Sequence, residues 1–301
     1  MNNCYKIVCL HFLKLKRMLI FDNKLSLISH IKSISNSKTS IGFVPTMGAL
    51  HMGHLSLMQE SILDNEVNIV SIFVNPTQFN NPDDLAKYPR TFKLDVEKIK
   101  SVSDKIIIYA PTIEDIYEGK TVSDKFEYDG LENQMEGKFR PGHFNGVGTI
   151  VKKLFEIVKP TNAYFGEKDF QQLQIIRKMV QKHCLKVNII SCLIYRERNG
   201  LAMSSRNERL TKRERENAAI IFETIKKASE MYQENITPMR KIKDFVAKVF
   251  KKNPDFKLEY FDIADEETLI SAKRKNKTNK YRAFIAVFVN NIRLIDTISL
   301  K

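Results

Sequence analysis

Two histidines, His51 and His54, stand three residues apart in VPTMGALHMGHLSLMQES (44–61), where an apolar run gives way to an amphipathic one. Imidazoles so placed can ligate a metal, move a proton or donate hydrogen bonds to an anion, and they can equally be satisfied packing. Gly48 and Gly53 let the backbone approach a ligand closely, and a helix starting here would aim unpaired N–H groups at the same spot. Three further stretches carry groups that suit a phosphate-bearing ligand. SIFVNPTQFNNPDDLAKYPRTFKLD (71–95) offers the neutral amide of Gln78, able to donate to and accept from a hydroxy acid. KFRPGHFNGVGTIVKKLFEIVKPTNAYFGEKDFQQL (138–173) offers Gly166-Glu167-Lys168-Asp169 and Gln172; Lys168 supplies a point charge for phosphate and Asp169 can accept from ribose hydroxyls. In the same stretch Arg140 and His143 either shape a pocket rim or pack a loop. YRERNGLAMSSRNERL (195–210) offers Ser204, Ser205 and Arg206, groups that could close over a triphosphate.

The elements that must position these groups follow from hydrophobic period. From residue 39, short apolar runs alternate with helical stretches, the pattern of successive βα units and a parallel sheet. Strands are expected at 39–45, 67–75, 105–111, 162–166 and 187–192, and helices at 54–65, 88–103, 146–159 and 169–184. In such a sheet ligands lie beyond the carboxyl ends of the strands, which is where HMGH, Gln78 and GEKD fall. After about residue 195 the pattern changes to two helices, 212–235 and 238–253, and to strands at 258–264 and 281–289. The latter meets 292–297 across Asn290-Asn291, a two-residue link suited to a tight hairpin. The expected fold class is α/β, a Rossmann-like parallel-sheet domain over 18–194 with a smaller α+β C-terminal lid domain over 195–301.

His51-Met52-Gly53-His54 resembles the HIGH-type motif of the nucleotidylyl transferase superfamily, and the longer PTMGALHMGH is similar to the signature of the pantothenate synthetase (pantoate–β-alanine ligase) family. The resemblance spans roughly residues 18–301 and is strongest from 39 to 210. It implies ATP-dependent joining of pantoate to β-alanine through a pantoyl adenylate, with AMP and pyrophosphate released. It further implies ATP contacts from Met47, Gly48, Ala49, Leu50, His51, Met52, Gly53 and His54, from Gly166, Glu167, Lys168 and Asp169, and from Tyr195 beside the adenine. Met203, Ser204, Ser205 and Arg206 resemble the family's counterpart of the KMSKS loop. Gln78 and Gln172 are implied for pantoate, Gln78 also for the pocket that later admits β-alanine, Asp95 for Mg²⁺ where it is not simply an exposed carboxylate in a helix's first turn, and His54, His51 and Lys168 as the catalytic groups, with His54 either stabilising the pentacovalent phosphorus or donating a proton. The resemblance also implies a homodimer. Leu193 departs from the pattern, since many members carry proline there, and the C-terminal third is divergent.

The chain has 301 residues, Lys+Arg 49 against Asp+Glu 35, and a formal net charge of +14. That excess admits nucleic acid, an anionic membrane surface or phosphorylated small molecules as partners, but the basic residues are spread out, as on a solvated surface. The densest run, 271–282, reads as an exposed loop with one tyrosine and no nucleic-acid-binding module, and neither nucleic acid nor membrane is expected as a partner. Cys4, Cys9, Cys184 and Cys192 form no CxxC pair, which fits thiols in a reducing cytoplasm. The N-terminal segment 1–17 is too charged for a membrane span and reads as a non-native extension, with Met18 beginning the working chain. One alternative enzyme remains open from sequence, a related nucleotidylyltransferase acting on a phosphate acceptor; Gln78 and Gln172 suit a hydroxy acid better.

Overall fold

A computed structural model describes residues 18–234 and 237–300, so the extension expected over 1–17, with Cys4 and Cys9, lies outside the described residues. Six parallel strands, β1 (Ile20–Phe21), β2 (Ile41–Thr46), β3 (Val67–Ile72), β4 (Ile107–Tyr109), β5 (Asn162–Gly166) and β6 (Asn188–Cys192), form one sheet in the order β1-β4-β3-β2-β5-β6. Successive strands step outward from β2 as far as β4, and the chain then returns to lay β5 on the other side of β2. The crevice beyond β2 and β5 is therefore the topological switch point, where open α/β sheets bind ligands.

Adjacent residues of each central strand face opposite layers, and both layers are apolar. Phe43, Ile69 and Ile107 pack under α1 (Lys24–Ile34), α7 (His143–Val158) and α8 (Phe170–Lys182). Their neighbours Val44, Val70 and Ile108 pack under α2 (Met52–Asp64) and α4 (Phe92–Val102). Burial on both faces is why these strands read as continuous apolar runs rather than alternating ones. The short helices α3 (Pro82–Ala86), α5 (Ile113–Tyr117) and α6 (Met135–Phe139) and the two-residue β1 were not anticipated by period, since one turn or less carries little of it; the longer α1 was not anticipated either.

The C-terminal portion builds an antiparallel sheet, β7 (Phe256–Asp265), β8 (Tyr281–Val289) and β9 (Ile292–Leu300), with α10 (Ala219–Gln233) and α11 (Met239–Lys251) on one face. The expected hairpin is present, with Asn290 at φ +51°. The single helix expected over 212–235 is two, α9 (Lys212–Asn217) and α10, meeting at Ala218. The break falls where the Asn199 side chain donates to the Arg215 carbonyl, the group that would accept from residue 219 in an unbroken helix. The other face of this sheet lies on the parallel-sheet half, with Phe284 against Phe170.

Candidate active site

The turn from β2 into α2 is built around a buried carboxylate. Asp95, 1% exposed, accepts from the backbone N–H groups of Ala49 at 3.0 Å and Leu50 at 2.7 Å and from the Thr91 hydroxyl. Gly48 (φ +79°) and Ala49 (φ +49°) are consecutive left-handed residues; a Cβ at Gly48 would sit 3.1 Å from Asp95 Oδ2. The bonds to Asp95 hold Ala49 in a region that costs a non-glycine residue about 1–2 kcal/mol. Lys98 on α4 donates to the Leu50 carbonyl at 2.6 Å and fixes the turn from below.

This turn delivers His51 as the N-cap of α2 and His54 one turn on, their rings 4.0 Å apart. His54 Nδ1 accepts the His51 backbone N–H at 3.3 Å, leaving Nε2 to carry the ring proton. Burial, with the positive charges of Lys168 and Lys98 nearby, pushes His54 down to about 4. Burial, then His54, Lys168 and Lys98, push His51 down to about 2. Both imidazoles are thus neutral hydrogen-bonding groups at neutral pH, and His51 Nδ1 is buried without a partner among the described residues.

A cavity of about 240 Å³ lies in front of them at the switch point. Its floor comes from the β2 edge (Met47), from His51, Gly53 and His54, and from Gln78, which follows β3 in a short 3₁₀ turn. Gln78 is fixed twice: its Oε1 accepts from Asn75 Nδ2 at 3.1 Å, and its backbone carbonyl meets His143 Nδ1 at 2.8 Å. Asn75, 1% exposed, is oriented in turn by the Tyr117 hydroxyl, so the Gln78 Nε2 side turns to the cavity, where it donates to Met47 Sδ at 3.1 Å and keeps a second N–H for a ligand. Across the crevice β5 ends at Gly166, a 3₁₀ turn carries Lys168 and Asp169, and α8 brings Gln172, all lining the cavity. Lys168 Nζ lies 3.7 Å from Asp169 Oδ2.

The fourth wall is the 195–206 segment, with Tyr195, Met203, Ser204, Ser205 and Arg206 facing the cavity. Arg196 beside it pairs with Asp296 at 2.6 and 3.0 Å and stacks 3.8 Å over Phe222, tying the segment to β9 and α10. Ser205 donates to the Ala49 carbonyl at 3.0 Å, and Arg206 is paired with Asp84 at 2.7 Å. Tyr88, 8% exposed, lines the same mouth beside Ser205 and Arg206.

Some residues expected in the site face elsewhere. Leu50 is 1% exposed in the core beneath α2, Met52 is 43% exposed outside, and Gly48 and Ala49 shape the turn without lining the cavity. Glu167 turns away to Arg282 on β8 at 3.1 Å. Asp95, expected to ligate magnesium, is buried in the turn, where its oxygens accept from two backbone N–H groups and the Thr91 hydroxyl. Among the described residues no cluster of three His, Cys, Asp or Glu could hold a metal. Missed in the sequence were Asn75, Tyr88, Lys98 and Tyr117, whose roles depend on contacts between separate elements; Asn75, at a strand's carboxyl end, gave the one local signal.

The sequence model of the family described as pantoate-beta-alanine ligase matches residues 19–299. A pantothenate synthetase from Flavobacterium psychrophilum is 62% identical over 94% of this chain and all of its own, and one from Christiangramia forsetii is 50% identical over the same shares. Among solved structures, the Thermus thermophilus pantothenate synthetase superposes with TM-score 0.86 at 32% identity, covering 94% of this chain and 99% of that one. The Francisella tularensis pantoate-beta-alanine ligase, solved with β-γ ATP and β-alanine, gives TM-score 0.77 at 36% identity, covering 94% and 98%. These matches set aside a transferase for a phosphate acceptor. The chain belongs to the pantoate–β-alanine ligase family, enzymes that join pantoate to β-alanine at the cost of ATP.

Proposed function

We propose that the ligation runs in two steps in the switch-point cavity, and that His51, His54 and Lys168 carry the first. A carboxylate cannot expel oxide, so a pantoate oxygen attacks the α-phosphorus of ATP, pyrophosphate leaves, and the acyl group acquires AMP as leaving group. The β-alanine nitrogen then attacks the acyl carbon; the carbon–oxygen bond to AMP breaks and the nitrogen loses a proton. Neither step needs a protein nucleophile, so the rate depends on positioning and on charge stabilisation.

The observation that carries this reading is the pair of neutral imidazoles at the start of α2, facing Lys168, with a partnerless nitrogen on His51 and the His54 proton fixed on Nε2. A neutral Nε2–H is a donor to the phosphorane oxygens and not an acid of ordinary imidazolium strength, which favours stabilisation over proton transfer for His54. Lys168 neutralises phosphate, while the remaining Gln78 Nε2–H and Gln172 hold pantoate. Ser205 and Arg206 exchange Ala49 and Asp84 for triphosphate oxygens as residues 195–206, at the head of the C-terminal lid domain (195–301), close over the ATP- and pantoate-binding domain (18–194). Tyr195 flanks the adenine, with Gly53, Gly166 and Asp169 against the nucleoside.

Asp95 is engaged by two backbone N–H groups and the Thr91 hydroxyl, so magnesium is proposed to be held chiefly by the nucleotide's own phosphate oxygens and water, the ion's usual habit. The homodimer rests on the family resemblance and is checked by sedimentation velocity. A cytoplasmic setting is supported by Cys184 and Cys192 being free thiols, and no described helix is long and apolar enough to cross a membrane. The test of the two-step reading is isotope exchange. With ATP, pantoate and labelled pyrophosphate, β-alanine omitted, label enters ATP; a protein that makes pantothenate on adding β-alanine yet never exchanges would discard the adenylate.

A further inference from the structure

Arg140 joins α6 to α7 beside the active-site cavity, with its side chain 25% exposed. The nearest carboxylate is Glu136 Oε2, at 3.7 Å from Nη1, beyond hydrogen-bond range. Glu136 is already committed: both guanidinium nitrogens of Arg293 reach it at 2.7 Å, and the Tyr260 hydroxyl donates to it at 2.7 Å. Among the described residues no hydrogen bond from the Arg140 guanidinium is formed, and it lies close enough to Arg206 and Arg293 to feel their charge. A guanidinium has five N–H donors in a rigid fork, and here they are left open to solvent and to an anionic ligand at the cavity.

Its position says which ligand. Arg140 lines a side chamber of about 20 Å³ that shares Lys168, Asp169 and Gln172 with the main cavity, on the flank toward the C-terminal sheet and away from the α2 N-terminus. The nucleotide's phosphates have Lys168 and the two histidines, and pantoate has the two glutamines. The remaining substrate is a zwitterion whose amine must reach the acyl carbon while its carboxylate stays clear of the reaction. On the two-step reading above, we propose that Arg140 binds the carboxylate of β-alanine and directs its amino end past Gln172 to the acyl adenylate. A bidentate guanidinium–carboxylate pair fixes orientation as well as position, and so selects an amine that carries an acid two carbons away.

The experiment separates the half-reactions in Arg140→Gln and Arg140→Lys. Pantoate-dependent pyrophosphate exchange should stay within about threefold of wild type, while KM for β-alanine rises at least thirtyfold in Arg140→Gln and less in Arg140→Lys. The preference for β-alanine over propylamine, which lacks the carboxylate, should collapse in parallel. An unchanged β-alanine KM, an intact preference over propylamine, or exchange falling as far as the overall reaction would each overturn the assignment. Should the wild type show no exchange at all, the adenylate reading fails, and the β-alanine KM and propylamine preference still decide the role of Arg140.

Discussion

His54 accepts through Nδ1 and donates through Nε2, and the environment that fixes this also sets how the protein answers acid. Both His51 and His54 fall from 6.5 to about 2 and about 4 on folding, so below pH 6.5 the unfolded chain takes up protons that the folded one refuses. Stability should therefore drain away as pH falls from 6.5 toward 4, and His54→Asn should reduce the loss between pH 7.5 and 5 in urea titrations. A variant as acid-sensitive as the wild type would mean His54 titrates normally. Asp95→Asn turns one acceptor oxygen into a donor facing backbone N–H, and should cost about 1–3 kcal/mol. The magnesium concentration for half-maximal activity should stay within about twofold of wild type, whereas a metal ligand would raise it far more. The residue types were legible in the sequence, because PTMGALHMGH and GEKD are local. Protonation states and the task of Asp95 were not, since they arise where α2, α4 and the β5–α8 turn meet.

At the level of elements, the βα alternation was readable because two buried layers demand unbroken apolar strands, and β5 and β8 have the bounds expected. Period failed at single-turn helices and at Ala218, where a side-chain contact from Asn199 decides the outcome. It also said nothing of how α7 sets Gln78. Gly146 on α7 lies against the 3₁₀ turn, and an added Cβ would fall 2.3 Å from the Thr77 carbonyl oxygen and 2.7 Å from the Gln78 Cα. Gly146→Ala must push that turn away, at about 1–3 kcal/mol of stability, with KM for pantoate rising more than KM for ATP. An equal fold-change in KM for both substrates would remove the link between this helix and the pantoate amide.

Across the whole molecule, the C-terminal sheet braces the nucleotide segments from behind. Arg282 holds Glu167 beside Lys168, Arg293 holds Glu136, and Arg196 holds the 2% exposed Asp296 beneath the 195–206 wall. Each partner lies far away in the chain, so no local pattern announced it. Arg196→Ala would leave a buried carboxylate unpaired, and its cost of about 3–5 kcal/mol should be visible as a lowered chemical denaturation midpoint. The central claim is that two strand-to-helix junctions, brought together at the switch point, stabilise the charge developing on ATP. Rapid-quench measurement of pantoyl adenylate formation in His54→Ala and Lys168→Ala tests it most directly. Each variant should form the adenylate about a hundredfold or more slowly while unfolding at the wild-type temperature within a few degrees. Near-wild-type adenylate formation in either would contradict it.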